Sequence, residues 1–188
     1  MGYLNHISRL RIFPFAPLAV RRLNQAGFPV IVVTNQSGAS RGIFPESLVH
    51  EVHERLAHDL AVSGARIDAF YYCPHRREDG CTCRKPLTGM LERAAREHAI
   101  ELRGSWVVGD RGVDVELASR TGGRGVLVLT GYGRGEQQWY MPKWPHQPEF
   151  VADDLAAAVE GILEREAARE NEALDSTPPV AGATRGSA

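Results

Sequence analysis

The 188 residues carry 22 Lys and Arg against 23 Asp and Glu, a net charge of −1, and 43% of them are hydrophobic. That length and apolar content suit one soluble domain with a single buried core, and the even charge balance leaves no electrostatic footprint for nucleic acid or an anionic membrane. The apolar runs are strand-sized and no charged segment followed by an apolar one marks a secretory signal, so no membrane span is expected and the expected setting is the cytoplasm.

Short apolar runs alternate with helical patterns along the chain. Residues 17–26 suit a first helix that Gly27 stops, and 29–34 (PVIVVT) make a continuous β-branched strand fit for burial on both faces. Pro45 opens a second helix with Val49, Val52, Leu56 and Leu60 along one face. His50, His53 and His58 ride on that helix as flank residues rather than as a second metal site. Residues 69–72 form a strand, Thr88 caps a helix running through His98, and 105–108 form a third strand. A helix over 113–120, a strand over 125–129 and an alanine-rich helix from Asp153 complete the series. From about Ala167 the periodicity fades and the chain ends STPPVAGATRGSA, so 1–166 read as one domain and 167–188 as a disordered tail. The alternation predicts an α/β fold with a Rossmann-like, doubly wound parallel sheet, whose ligands bind at the carboxyl ends of the strands. The stretch 132–150, with three prolines and two tryptophans, suggests no function.

The run YYCPHRREDGCTCRKP gathers all 3 cysteines and a histidine around one loop. Cys73, His75, Cys81 and Cys83 offer three thiolates and one imidazole, the ligand set of a tetrahedral structural Zn²⁺ site. Four protein ligands leave no position for an activated water, so the metal would fold the loop rather than perform chemistry. Pro74 and Gly80 supply the turns. A disulfide would leave one cysteine over, and chance clustering is the other alternative.

The remaining candidates fall at expected strand ends. Thr34, Asn35, Gln36 and Ser37 follow the first strand with a hydroxyl, side-chain amides and backbone N–H groups suited to phosphate. Arg84 and Lys85, just after the cysteine loop, offer a bidentate cation and a point charge. Asp110 closes the strand at 105–108 and Asp114 follows one helical turn later; either can serve Mg²⁺, or simply complement a helix N-terminus.

Together, VVTNQSGASRG, YYCPH with CTCRKP, and VVGDRGVD resemble the haloacid dehalogenase superfamily of phosphatases. Within it the sequence is most similar to the zinc-containing D-glycero-D-manno-heptose 1,7-bisphosphate 7-phosphatases, with histidinol-phosphate phosphatases as near relatives. The resemblance implies Mg²⁺-dependent hydrolysis of a phosphomonoester through an aspartyl-phosphate, and a small zinc loop in place of a cap. It implies that Thr34 binds the transferring phosphoryl group, that Lys85 steadies its charge, and that Asp110 ligates Mg²⁺. Asn35, Gln36, Ser37, Arg84 and Arg111 would contact a small phosphorylated sugar, with Asp114 supporting Lys85, in a monomer with no macromolecular partner.

In one respect the chain differs from the family pattern. That pattern opens with a strand ending in DxDGT, whose first aspartate is the nucleophile and whose second is the general acid and base. Here the first carboxylate is Glu46 and the first aspartate Asp59. GYLNHISRLRIFP instead resembles the stretch just after that motif, which places Gly2 and Tyr3 at the substrate. The resemblance thus implies a chain that begins about one strand late, with the central strand of the sheet missing. Each backbone group left buried and unpaired by that loss would cost about 1–3 kcal/mol. Three functions follow as alternatives: a heptose-bisphosphate phosphatase whose nucleophile is encoded upstream, a histidinol-phosphate phosphatase, or a non-catalytic zinc-binding pseudoenzyme.

Overall fold

In the computed structural model, which describes residues 2–175, the β-branched and aromatic runs become five parallel strands and the amphipathic runs cover them. A short turn at Ile7–Arg9 leads into α1 (Ala16–Gln25), then β1 (Ile31–Asn35), α2 (Ser47–Ala61), β2 (Ala69–Cys73) and α3 (Gly89–His98). β3 (Trp106–Gly109), α4 (Gly112–Arg120) and β4 (Arg124–Val128) follow. A short helical turn, α5 (Gly133–Gly135), and two irregular turns precede β5 (Phe150–Ala152) and α6 (Leu155–Asp175).

The strands make two sheets, β1-β2 and β3-β4-β5, with every pairing parallel. Each sheet has its own core. Tyr71 and Cys73 of β2 pack on Met90 and Ala94 of α3, while Val126, Val128 and Ala152 pack on Ala158 and Ile162 of α6. Leu155 joins Val20 and Leu60, tying the start of α6 to α1 and α2. β4 is buried on both faces, which is why its run reads as continuous apolar sequence.

The expected doubly wound sheet is therefore in two parts. Asp68 donates its N–H to Val30 and Gln36 donates to Cys73, so the even-numbered positions of β1 face β2. By the alternation of a parallel ladder, Ile31, Val33 and Asn35 turn their N–H and C=O groups to the other edge. Arg124 donates to Ser105, and the same alternation leaves Trp106 and Val108 facing the open edge of β3. Among the described residues neither edge has a ladder partner. Among the described residues no strand lies between them, and this divides the sheet.

Element boundaries shift slightly from the sequence reading. β1 starts at Ile31, after Pro29, which has no N–H to give a ladder. Thr88 precedes α3 without capping it, and its hydroxyl donates to Glu92 instead at 2.6 Å. The side chain of Asp154, not Asp153, accepts the Ala157 N–H at the start of α6. That helix runs to Asp175, past the tail boundary expected at Ala167, on a stretch whose Glu and Arg residues favour helix without needing an apolar face. The rest of the expected tail, 176–188, lies outside the described residues. β5 was not expected, because three residues carry too little periodicity to register.

Candidate active site and metal clip

β2 ends at Cys73, and the chain turns through Pro74 and His75 into a short helical turn at Arg77–Asp79. Gly80 sits at φ 63, where a side chain would be strained, and brings Cys81 and Cys83 back toward Cys73. Cys73 Sγ lies 3.6 Å from both His75 Nδ1 and Cys81 Sγ, and His75 Nδ1 lies 3.3 Å from Cys83 Sγ. All four ligand atoms fall within 4.8 Å of one another. Tetrahedral Zn²⁺, with Zn–S about 2.3 Å and Zn–N about 2.0 Å, sets its ligand atoms roughly 3.3–3.8 Å apart, so the donor set and its spacing fit that ion. As free thiols, Cys73 is pushed up to about 12 by burial, and Cys83 is also raised by burial. Cys81 is raised by burial too, but backbone N–H groups of Arg84 and Cys83 donate to its sulfur and bring it below its ordinary value.

The loop hands the chain directly to a cavity of about 510 Å³ at the carboxyl ends of β1 and β3. Its walls include Gly2, Tyr3, Thr34, Asn35, Ser37, Arg84, Lys85, Asp110, Arg111 and Asp114. Asn35 clamps the two sides together: its Oδ1 accepts from the Lys85 N–H at 3.0 Å and its Nδ2 donates to the Lys85 carbonyl at 3.2 Å. Lys85 Nζ donates to the Val33 carbonyl at 2.9 Å, on the open edge of β1, and meets Asp114 Oδ1 at 2.7 Å. Arg84 donates to the carbonyl of His75 at 3.0 Å, so one cation of the cavity is held by the metal clip itself. Gln36 is the one expected substrate contact that does not line the cavity; its Nε2 donates to Thr34 Oγ1 at 3.1 Å and orients that hydroxyl.

Asp110 accepts the Tyr132 N–H at 2.9 Å. The turn that delivers this N–H needs Gly131, whose φ is 61 and where a Cβ would run into Asp110 Oδ2. Arg111 lies over the Tyr132 ring at 4.8 Å and meets Glu136 at 3.4 Å. Tyr132 and Val113 complete the cavity, and sequence reasoning missed both. Tyr132 follows β4, and the rule that ligands gather at the carboxyl ends of parallel strands was the signal that marked it. The arrangement can hold a phosphate between a hydroxyl, backbone N–H groups and cations. Its two carboxylates are Asp114, paired with Lys85, and Asp110, which accepts the Tyr132 N–H.

A family model of HAD-like hydrolases matches residues 82–158. A D-glycero-D-manno-heptose-1,7-bisphosphate 7-phosphatase from Thermosynechococcus vestitus is 42% identical over 175 residues, covering 86% of this chain and 88% of that protein. The D-glycero-beta-D-manno-heptose-1,7-bisphosphate 7-phosphatase of Bordetella bronchiseptica is 40% identical over 147 residues, covering 78% of this chain and 80% of that protein. The crystal structure of a D,D-heptose 1,7-bisphosphate phosphatase from B. bronchiseptica, complexed with magnesium and phosphate, superposes with a TM-score of 0.77 at 36% identity, over 87% of this chain and 89% of that one. By the identity and coverage of these relatives the chain belongs to the HAD-like hydrolases, in the family of the D-glycero-D-manno-heptose 1,7-bisphosphate 7-phosphatases.

Proposed function

We propose that the cavity binds a small phosphorylated sugar and serves the hydrolysis of its phosphomonoester, the 7-phosphate of D-glycero-D-manno-heptose 1,7-bisphosphate. The observation that carries this reading is Lys85, held between the Val33 carbonyl and Asp114 in a cavity that Thr34 also lines. A fixed cation, a fixed hydroxyl and strand-end N–H groups favour the spread charge of a transferring phosphoryl group over that of the resting ester. Thr34 receives the phosphoryl oxygens, Lys85 offsets their charge, and Arg84, Asn35 and Ser37 orient the ester.

Mg²⁺ suits the same place in part. Asp110 is a hard oxygen donor at a strand end, and this ion commonly takes one or two carboxylates plus substrate phosphate. Bound there it would neutralise phosphoryl charge, with Asp110 as its protein ligand. Zn²⁺ belongs to the cysteine clip and fixes Arg84 through His75. The attacking carboxylate and the general acid come, in this reading, from a strand received between the open edges of β1 and β3, outside these 188 residues. The protein acts as a cytoplasmic monomer.

The test compares the 188-residue chain with the same chain extended at its N-terminus by its own upstream codons. The short chain is expected to bind phosphate without turnover, and the extended one to hydrolyse the heptose bisphosphate in a Mg²⁺-dependent way. Robust turnover by the short chain would overturn the assignment of the nucleophile. Faster turnover of histidinol phosphate would overturn the substrate, and an inactive extended chain would leave only phosphate binding.

A further inference from the structure

Arg111 lines both the phosphate cavity and a neighbouring one of about 560 Å³, and its backbone is fixed where α4 begins. Its carbonyl accepts the Asp114 N–H at 3.0 Å. A long side chain still separates that anchor from the guanidinium, and with the side chain 54% exposed, another group must decide where the charge points.

Glu136 does so from the segment between β4 and β5. There the Met141 N–H reaches back five residues to the Glu136 carbonyl, making a wide π-helical turn of a kind that concentrates at functional sites. The turn aims Glu136 inward, 13% exposed, and leaves Tyr140 59% exposed. The two carboxylate oxygens take consecutive residues: Oε1 accepts from Arg111 Nε and Oε2 from the Gly112 N–H, each at 3.4 Å. That N–H is among the first of α4 and has no partner within the helix, so the carboxylate is registered on backbone as well as on side chain. Trp144 packs so closely on Gly112 that an added Cβ would stand 2.6 Å from the indole, which holds the segment down on α4.

The shape of the guanidinium gives this contact its consequence. Glu136 engages Nε, and the Tyr132 ring lies against the guanidinium face at 4.8 Å. One edge and one face are thereby taken, and the two Nη groups, which carry the other N–H donors, are the end left for an anion. A contact of 3.4 Å is longer than the roughly 2.7–2.9 Å of a full charge-assisted bond, so Glu136 orients Arg111 without consuming it.

We propose that Glu136 is a positioning residue for phosphate binding: by holding Arg111 at Nε it turns the Nη end of the guanidinium toward the anion in the cavity of Thr34 and Lys85. The inference rests on the phosphate reading above and adds a residue outside that cavity which sets its affinity.

Calorimetric titration of the 188-residue, zinc-loaded chain with inorganic phosphate tests it. Arg111→Ala should weaken binding by about tenfold, and Glu136→Ala by about three- to tenfold, the scale of one long side chain left to be immobilised on binding. Glu136→Gln, whose amide oxygen still accepts from Nε, should stay within about twofold of the parent. The double variant separates positioning from a purely structural role: in the Arg111→Ala background, Glu136→Ala should have no further effect. Folding of each variant is checked by circular dichroism, and Glu136→Leu, which fills the same space and loses both acceptors, replaces an alanine variant that does not fold. Tighter binding by Glu136→Ala would make the carboxylate a competitor of the anion and overturn the proposal. So would an equal loss in both backgrounds, a Glu136→Gln loss as large as that of Glu136→Ala, or no response to Arg111→Ala. If the parent binds phosphate and Glu136→Ala is silent, this inference alone falls; if the parent binds no phosphate, the phosphate reading falls and this one with it.

Discussion

Breaking the Lys85–Asp114 pair should cost far more than deleting it. The two groups lie 2.7 Å apart with side chains 15% and 7% exposed. At that separation and an effective dielectric of about 20, their attraction is roughly 6 kcal/mol, while withdrawing each ion from water costs several kcal/mol. The intact pair is therefore worth little against two apolar groups, but either charge alone is stranded. Asp114→Asn leaves the buried ammonium without a counter-charge and should lower the unfolding free energy by about 3–5 kcal/mol. Lys85→Met should cost a comparable amount, because a buried carboxylate then faces an apolar chain. In the double variant both charges are gone, and its cost should fall short of the sum of the two by at least about 2 kcal/mol. Urea unfolding of all four proteins, followed by far-ultraviolet circular dichroism at one pH, closes the cycle. Costs that add within about 0.5 kcal/mol would refute the reasoning, since independent sites add to that tolerance.

Other outcomes follow from the same geometry. Protein purified without chelator should hold about one Zn²⁺ per chain, and Cys81→Ser should lower stability by several kcal/mol; metal analysis without zinc would remove the clip. Gly131→Ala should cost about 1–2 kcal/mol for its positive φ and in addition displace Asp110, so a variant as stable as its parent would show that the turn is not needed there. His53 stacks on Phe70 at 4.6 Å and its pKa is lowered by burial and then by His50. A lowered imidazole pKa means the unfolded chain binds the proton first, so this contribution is complete above the ordinary value of 6.5 and is lost as pH falls below it. Thermal unfolding between about pH 7 and about pH 5 should show the loss, and His53→Phe, which keeps the ring contact, should flatten it. An unchanged slope in His53→Phe would assign the pH dependence elsewhere.

Much of this molecule was legible in its residues. The continuous apolar runs marked the first and fourth strands, although only the fourth is buried on both faces and the first stays partly exposed along its length. Cys73, His75, Cys81 and Cys83 were legible because their chemistry and their crowding point the same way. The expected contacts other than Gln36 line one cavity, because strand ends of a parallel sheet converge there. Less legible was the region from Tyr132 to Phe150, whose shape depends on a π-helical turn and on which side Glu136 faces, neither of which has a periodic signature. Helix ends also moved: Asp153 and Asp154 are equally good caps by composition, and only the Ala157 N–H chooses between them. The continuation of α6 beyond Ala167 was missed because a charged helix with a weak apolar face resembles a solvated tail.

The bond from Arg84 to the His75 carbonyl places a cation of the anion cavity on the backbone of a candidate zinc ligand. Two equilibria that look separate are thereby made to share one loop conformation. Whatever orders the loop makes the guanidinium available, and whatever engages the guanidinium favours the ordered loop. By reciprocity, an anion that binds more tightly to the zinc-loaded chain must slow the escape of the metal or speed its capture by the same free energy. A metal held in the clip and an anion held in the cavity would then act on each other through a single carbonyl oxygen.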